Sequence, residues 1–439
     1  MKKLLMLAGA GAAFAAGAFE VENVTACQRW PWNSCIDIDY EITGAAAGDQ
    51  YAVDVTATYA GGTKTVVGKT YKSDPVAVPG SNRLTWDFGA DAAGVKANDL
   101  RISVKATPFD DKSEVYCVID VSGGKNATKY PVRYVREAPV HTPNCTTDVC
   151  KLTEIWLRRV HPASRDFTVY SWRTPSASND SIYSRLTKDY YIGVFEITQQ
   201  QWYLMTGNWP SAYSNLAWRA TRPMDRFYTE LLFGSGGWQW PDVKTAKADS
   251  LLDKLQKKTG LMTLNLPTET QYHFALTAGP TKGSEMYRYK DPNGKVYAAD
   301  EIMRYAGNRG DDWTDTTVGP NSGTACVGTY KPNNFGLYDM MGNVSEQFLD
   351  PYVAAGVNMN AYLAEHGYEL PLTDFAGIPR DDTLLFNRWD ADKVRATSCY
   401  GLGVGKDYMT LWHRTTCYTG YCFDGKNGAR GLRLCVTCE

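Results

Sequence analysis

Apolar and polar residues alternate along the first third of the chain. Cys35-Ile36-Asp37-Ile38-Asp39-Tyr40-Glu41-Ile42 places every second side chain on one face, and Tyr51-Ala52-Val53-Asp54-Val55-Thr56-Ala57-Thr58-Tyr59 repeats the pattern. A period of two is the mark of a half-buried strand. Further strands are predicted near residues 63–70, 83–88, 100–107, 114–121 and 129–135. Turn-forming clusters such as Ala60-Gly61-Gly62 and Pro79-Gly80-Ser81-Asn82 separate them. Seven or eight short strands at this spacing predict an immunoglobulin-like β-sandwich over residues 19–138. The antibody-type Cys…Trp…Cys spacing is missing, so the expectation concerns architecture alone. No catalytic cluster falls in this stretch, which points to a spacer or an interaction module.

The alternation is lost after about Leu152. Strands become short, loops become long, and two helices stand out. Thr198–Met205 follows a strand, with Thr198 as its N-cap. Val243–Lys258 carries Val243, Ala246, Leu251, Leu252 and Leu255 on one face, with Gly260 just past its end. Residues 139–151, holding Pro139, Pro143, Cys145 and Cys150, read as a linker. The expected fold is therefore α+β, a β-sandwich followed by a loop-rich domain over residues 152–439.

The N-terminus bears on location. Met1-Lys2-Lys3, the apolar run Leu4–Phe14 and the small residues Ala16-Gly17-Ala18 have the form of a signal peptide, residues 1–18. The run is shorter than the roughly 20 residues a membrane-spanning helix needs. No other segment is apolar enough, so no membrane span is expected. The protein is expected outside the cytoplasm, in the periplasm, at the cell surface or in the medium.

Charge and composition narrow the classes. Lys and Arg number 46 against 48 Asp and Glu, which leaves no basic surplus to neutralise phosphates and argues against nucleic acid as partner. Aromatics make up 13% of residues, enough either to pack irregular loops or to form an exposed recognition surface. All eleven cysteines lie beyond the signal segment. In an oxidising compartment most should pair, and Cys27–Cys35 and Cys145–Cys150 are the expected local bridges. Cys435 and Cys438 are also expected in disulfides. His141, His161, His273, His366 and His413 are scattered, with no two at helical metal-ligand spacing.

Six segments, in order, carry a resemblance to a known family. They are Ile155–Val160; Tyr190–Trp202, holding Phe195-Glu196-Ile197-Thr198-Gln199-Gln200-Gln201-Trp202; Arg222-Pro223-Met224; Leu266-Pro267-Thr268-Glu269-Thr270-Gln271-Tyr272; Val327–Glu346, holding Asn333-Asn334-Phe335-Gly336-Leu337-Tyr338-Asp339-Met340-Met341-Gly342-Asn343-Val344-Ser345-Glu346; and Gly431-Leu432-Arg433-Leu434. Over about residues 152–435 the chain resembles the formylglycine-generating enzyme, or sulfatase-modifying factor, family. The resemblance implies a C-type-lectin-like fold with few regular elements.

Two metal sites follow as expectations. Asp339 and Glu346 supply two carboxylates around a turn permitted by Gly342 and Asn343, and calcium takes six to eight oxygens in flexible geometry. The resemblance implies calcium held by the side chains of Asp339 and Glu346 and the carbonyls of Gly342 and Val344. It implies a second calcium in the loop Asn308–Thr317, where Asp311, Asp312 and Asp315 could serve. The family's activity is oxidation of a substrate cysteine to formylglycine, with copper(I) between two thiolates. The segment that resembles its copper motif, Arg395-Ala396-Thr397-Ser398-Cys399-Tyr400, puts Gly401 and Lys406 where the thiolates belong. Cys417-Tyr418-Thr419-Gly420-Tyr421-Cys422 has the same spacing further on, and either a disulfide or a displaced copper pair fits it. The reading preferred on these grounds is a non-catalytic binding or surface protein with a protein or glycan ligand; the alternative is a copper-dependent oxidase using Cys417 and Cys422.

Overall fold

The computed structural model describes residues 19–438, apart from 111, 171–180, 214, 235–245, 280–293, 310–321, 350–358, 366, 375–396 and 399–429. The chain divides into two compact units. The first comprises residues up to Val118 and Val132–Ala138; the second comprises Ile119–Pro131 and Pro139–Glu439.

The first unit is antiparallel β throughout. Its strands are β1 (Glu20–Gln28), β2 (Ile36–Thr43), β3 (Tyr51–Tyr59), β4 (Lys64–Val67), β5 (Thr70–Tyr71), β6 (Val76–Ala77), β7 (Gly80–Trp86) and β8 (Arg101–Pro108), with a short helix α1 (Phe88–Asp91) after β7. The chain then runs through β9 (Tyr116–Asp120) and returns with β10 (Val132–Val135). One sheet has the order β1-β2-β7-β5-β10; the other is β4-β3-β6, with β8 also on β3. The alternation read from sequence is the reason. In β2, Ile36, Ile38, Tyr40 and Ile42 are buried and the residues between them are not. They meet Val53, Val55 and Ala57 of β3, and Leu84 and Trp86 of β7, in one core. Trp86, wholly buried, donates its indole N–H to Asp91 Oδ2 at 2.7 Å, so the polar tip is satisfied.

The sequence pattern missed β1. Its residues are exposed or half-buried, and its register on β2 slips between Glu22 and Thr25, with Asn23 at φ 53. A bulge of this kind breaks the period of two.

In the second unit one sheet runs β11 (Glu154–Val160), β14 (Tyr190–Gly193), β20 (Cys435–Thr437), β15 (Leu264–Asn265). Two small sheets accompany it. One is β12 (Asp166–Tyr170), β13 (Ser181–Arg185) and β17 (Leu372–Thr373); the other is β18 (Thr397–Ser398), β16 (Ser345–Gln347) and β19 (Arg430–Gly431). The helices are α2 (Val149–Leu152), α3 (Gln199–Thr206), α4 (Glu230–Phe233), α5 (Leu251–Thr259), α6 (Glu269–Leu276), α7 (Ala299–Ile302) and α8 (Met359–Glu365). Tyr272, Phe274, Leu337, Met340 and Phe348 form the centre of its core.

Helix α3 begins where predicted, with Thr198 closing a capping box with Gln201. Helix α5 is shorter than predicted. Ser250 caps it and Asp249 sits at φ 66, so the chain leaves helical geometry at Asp249; Val243 lies outside the described residues. The stretch expected to be a linker is structured instead. Val149–Leu152 is helical, and Lys151, with no exposed surface, donates to Thr142 O at 2.6 Å and pairs with Asp148 at 3.0 Å. A buried ammonium keeps its charge only with such partners, so residues 142–151 are tied into the second unit.

The signal segment lies outside the described residues. Among those described, no helix is long and apolar enough to cross a membrane.

A buried charged centre where the motifs meet

Glu196 follows β14 and is fully buried. Its Oε2 accepts from Asn343 Nδ2 at 2.7 Å, and its Oε1 from the Val344 N–H at 3.2 Å. Asn343, also fully buried, adopts φ 57, and its Oδ1 accepts from the Ala325 N–H at 2.8 Å. Gly342 has φ 78, and a Cβ there would sit 2.3 Å from the Arg304 carbonyl. The Gly342-Asn343 pair thus supplies the left-handed turn and the close approach that the motif needs.

Glu346 lies in the centre of the small sheet, opposite Gly431 on β19 and Ser398 on β18. Arg433 stands on it. Nε lies 3.2 and 3.1 Å from the two carboxylate oxygens, and Nη2 lies 2.9 Å from Oε1. The remaining guanidinium donors go to carbonyls, Nη1 to Gly193 at 2.7 Å and Nη2 to Tyr338 at 2.8 Å. A Cβ on Gly193 would lie 2.7 Å from Arg433 Cγ, so the glycine makes room for the arginine stem. Asp339, 2% exposed, accepts from the Gly328 N–H through Oδ2 at 2.7 Å. Its Oδ1 is buried with no hydrogen-bond partner.

Three buried carboxylates therefore lie in one centre, and of them Glu346 is the one that holds the Arg433 guanidinium. Burial, and then the Asp339 and Glu346 carboxylates, push Glu196 well above the usual carboxylate range. Burial pushes Asp339 up to about 6, against the lowering effect of the Gly328 N–H and Arg433. Burial alone would lower Arg433, but Glu346 more than offsets it and the guanidinium is raised.

The other motif segments close around this centre. The Ile197 N–H donates to Leu432 O and the Met224 N–H to Ile197 O, each at 2.9 Å. Tyr272 of α6 donates its hydroxyl to Met340 O at 2.9 Å. Asn333 Oδ1 accepts from the Phe335 and Leu337 N–H groups, and its Nδ2 donates to Ala275 O and Leu276 O at the end of α6. Thr268 and Gln271 form a second capping box. Sequence reading missed the role of Glu196 and of Asn333 as separate residues. The signal was there, because each is a polar side chain inside an otherwise apolar motif.

The expected metal sites can be compared with this geometry. Both oxygens of Glu346 are engaged by Arg433, and Asp339 has one oxygen left. Of the four carboxylate oxygens of Asp339 and Glu346, one, Asp339 Oδ1, has no hydrogen-bond donor. Asn308, at the head of the second expected loop, spends its side-chain oxygen on the Tyr305 N–H. Asp311, Asp312 and Asp315 lie outside the described residues, as do Gly401, Lys406, Cys417 and Cys422. Among the described residues, no group of three or more His, Cys, Asp or Glu is placed to hold a metal ion.

The expected local disulfides are not formed. Cys27, Cys35, Cys145 and Cys150 are all thiols. Cys27 is exposed and opposes Asp37, whereas Cys35 is buried; Cys145 bonds to Thr147, and Cys150 faces Val140 O. Cys435 is buried on β20 with Cys438 three residues beyond it, about 10 Å of extended chain, so those two do not bridge each other.

The second unit is sheet-rich α+β, held by loops that converge on a buried acid–guanidinium centre. Residues 182–369 match the family model of the sulfatase-modifying factor enzyme 1-like domain, so the chain carries a domain of that family. Among curated proteins the chain is similar to chaperone protein LppX of Paenibacillus barcinonensis, 28% identical over 180 residues that cover 36% of this chain. The match spans 61% of that protein's length. Among solved structures it is similar to Treponema denticola variable protein 1, with a TM-score of 0.41 and 18% identity over 68% of this chain and 99% of the other. It is also similar to CarF, with a TM-score of 0.32 and 16% identity over 63% of this chain and 98% of the other.

Proposed function

We propose that the chain is an exported protein whose sulfatase-modifying-factor-type domain works as a non-catalytic binding module. One observation carries this reading. Where the family motif requires two thiolates, this sequence has Gly401 and Lys406. Copper(I) prefers soft sulfur ligands, and neither glycine nor an ammonium replaces them. The buried centre supports the reading from another side. Glu346 and Arg433 are spent on each other and on backbone carbonyls, and Glu196 on Asn343 and the Val344 N–H, which suits a frame that holds loops rather than a site that turns over substrate.

In this reading the front unit is an immunoglobulin-like sandwich that acts as a spacer, and the ligand is a protein or a glycan. The stretch from about Asp350 to Lys393, most of it outside the described residues, is the segment we propose for recognition. The name of the curated relative, a chaperone protein, agrees with a binding role. The alternative rests on the Cys417–Cys422 spacing and makes the chain a copper-dependent oxidase. The test is incubation of the protein, copper(I) and oxygen with cysteine-containing sulfatase peptides, beside binding to glycan and peptide arrays. The binding reading expects no formylglycine and a reproducible array ligand. Formylglycine formed at a rate that scales with protein would overturn it.

A further inference from the structure

We infer that Arg433 is the built-in cation of the second unit's buried centre and stands in place of a calcium ion on the Asp339–Glu346 segment. A calcium ion there would use the Glu346 carboxylate, and Arg433 already contacts both of its oxygens, at 3.2, 3.1 and 2.9 Å. Two cations on one carboxylate repel each other, and Arg433 at 0% and Glu346 at 1% exposure have no solvent to screen them.

Arg433 has no second place to go. Its other donors are committed to Gly193 O and Tyr338 O, and withdrawing it would strand both carbonyls in the core. The backbone is also shaped to the arginine, since any side chain at Gly193 would strike its stem. Asp339 offers calcium a single oxygen, because Oδ2 is spent on the Gly328 N–H. Of the segment's four carboxylate oxygens only this one has no donor, so the two carboxylates that would lead a calcium site are largely committed before any ion arrives. The guanidinium does what the ion would have done. It joins β16, the end of β14, the Tyr338 turn and the segment between β19 and β20 through charge-assisted bonds in a fixed fork.

The experiment uses the full chain stripped with EGTA and returned to millimolar calcium. Thermal unfolding and calcium by plasma mass spectrometry are read on wild type, on Asp339→Asn, and on a double variant, Asp311→Asn with Asp312→Asn. The expected result is a melting temperature that moves by less than about 1 °C with calcium, as for a protein without a linked site. Bound calcium that is the same in wild type and Asp339→Asn also agrees, because the ion then sits elsewhere. So does a calcium-dependent rise that the double variant abolishes. About one calcium per chain that Asp339→Asn removes would overturn the inference. If Asp339→Asn does not fold, a rise of about 5 °C or more that survives in the double variant overturns it equally.

Discussion

Single side chains in the second unit sit in positions that admit little change. Gly193 is the clearest, with a Cβ predicted 2.7 Å from Arg433 Cγ and 2.9 Å from Phe195 O. Gly193→Ala should cost about 1–3 kcal/mol, the usual penalty of overpacking, read as a lower denaturant midpoint at unchanged slope. Arg433→Lys keeps the charge but loses the fork. It should cost about 1–3 kcal/mol, the penalty of leaving the Gly193 or Tyr338 carbonyl buried without its donor. Asp225 gives a pH signature. It is 1% exposed, and burial outweighs its bonds from the Ala212 and Tyr213 N–H groups, so its carboxyl is pushed up to about 6. A folded-state value above the unfolded one means the native state binds a proton first as pH falls. From Asp225 alone, stability should rise by on the order of 1–2 kcal/mol between about pH 7 and about pH 5, and Asp225→Asn should remove that share in urea melts across the range, leaving the share of Asp339 and Glu196, which are raised as well. Asp189 acts in the opposite sense. Burial raises it, but His161 and Arg159 outweigh burial and hold it low, so its contribution is present at neutral pH and lost only in stronger acid.

At the scale of elements, the two capping boxes set the entry of α3 and α6. Thr198 also donates its hydroxyl to Lys151 O at 2.8 Å, so it joins the helix start to α2. Thr198→Ala should cost about 1–2 kcal/mol, while Thr198→Ser should restore most of it, measured as unfolding free energy. Helix α3 was legible because Thr198, three residues before Gln201, is a local signal; α6 carries the same signal at Thr268 and Gln271 but was not among the helices read from sequence. The strands of the first unit were legible wherever one face is buried, as in β2. They were not legible in β1, where the bulge at Asn23 breaks the period, nor in β16 and β19, which are three and two residues long. The charged centre was half legible. Asp339 and Glu346 stood out as paired carboxylates, but their partner Arg433 lies 87 residues beyond Glu346 and only the fold brings it there. The helix at Val149–Leu152 and the thiol state of the described cysteines were not legible for one reason. Spacing along the chain does not say which side a cysteine faces or whether a lysine such as Lys151 will be buried.

At the scale of the whole molecule, an all-β front unit accompanies a sulfatase-modifying-factor-type domain, and the positions proposed to match the family's copper thiolates hold Gly401 and Lys406. The most direct test is a thiol count on mature protein, by mass spectrometry after alkylation, with and without copper(I). The account predicts Cys417 and Cys422 joined in a disulfide and no copper retained. Both thiols free, with one copper(I) held through them, would contradict it and make the protein an oxidase.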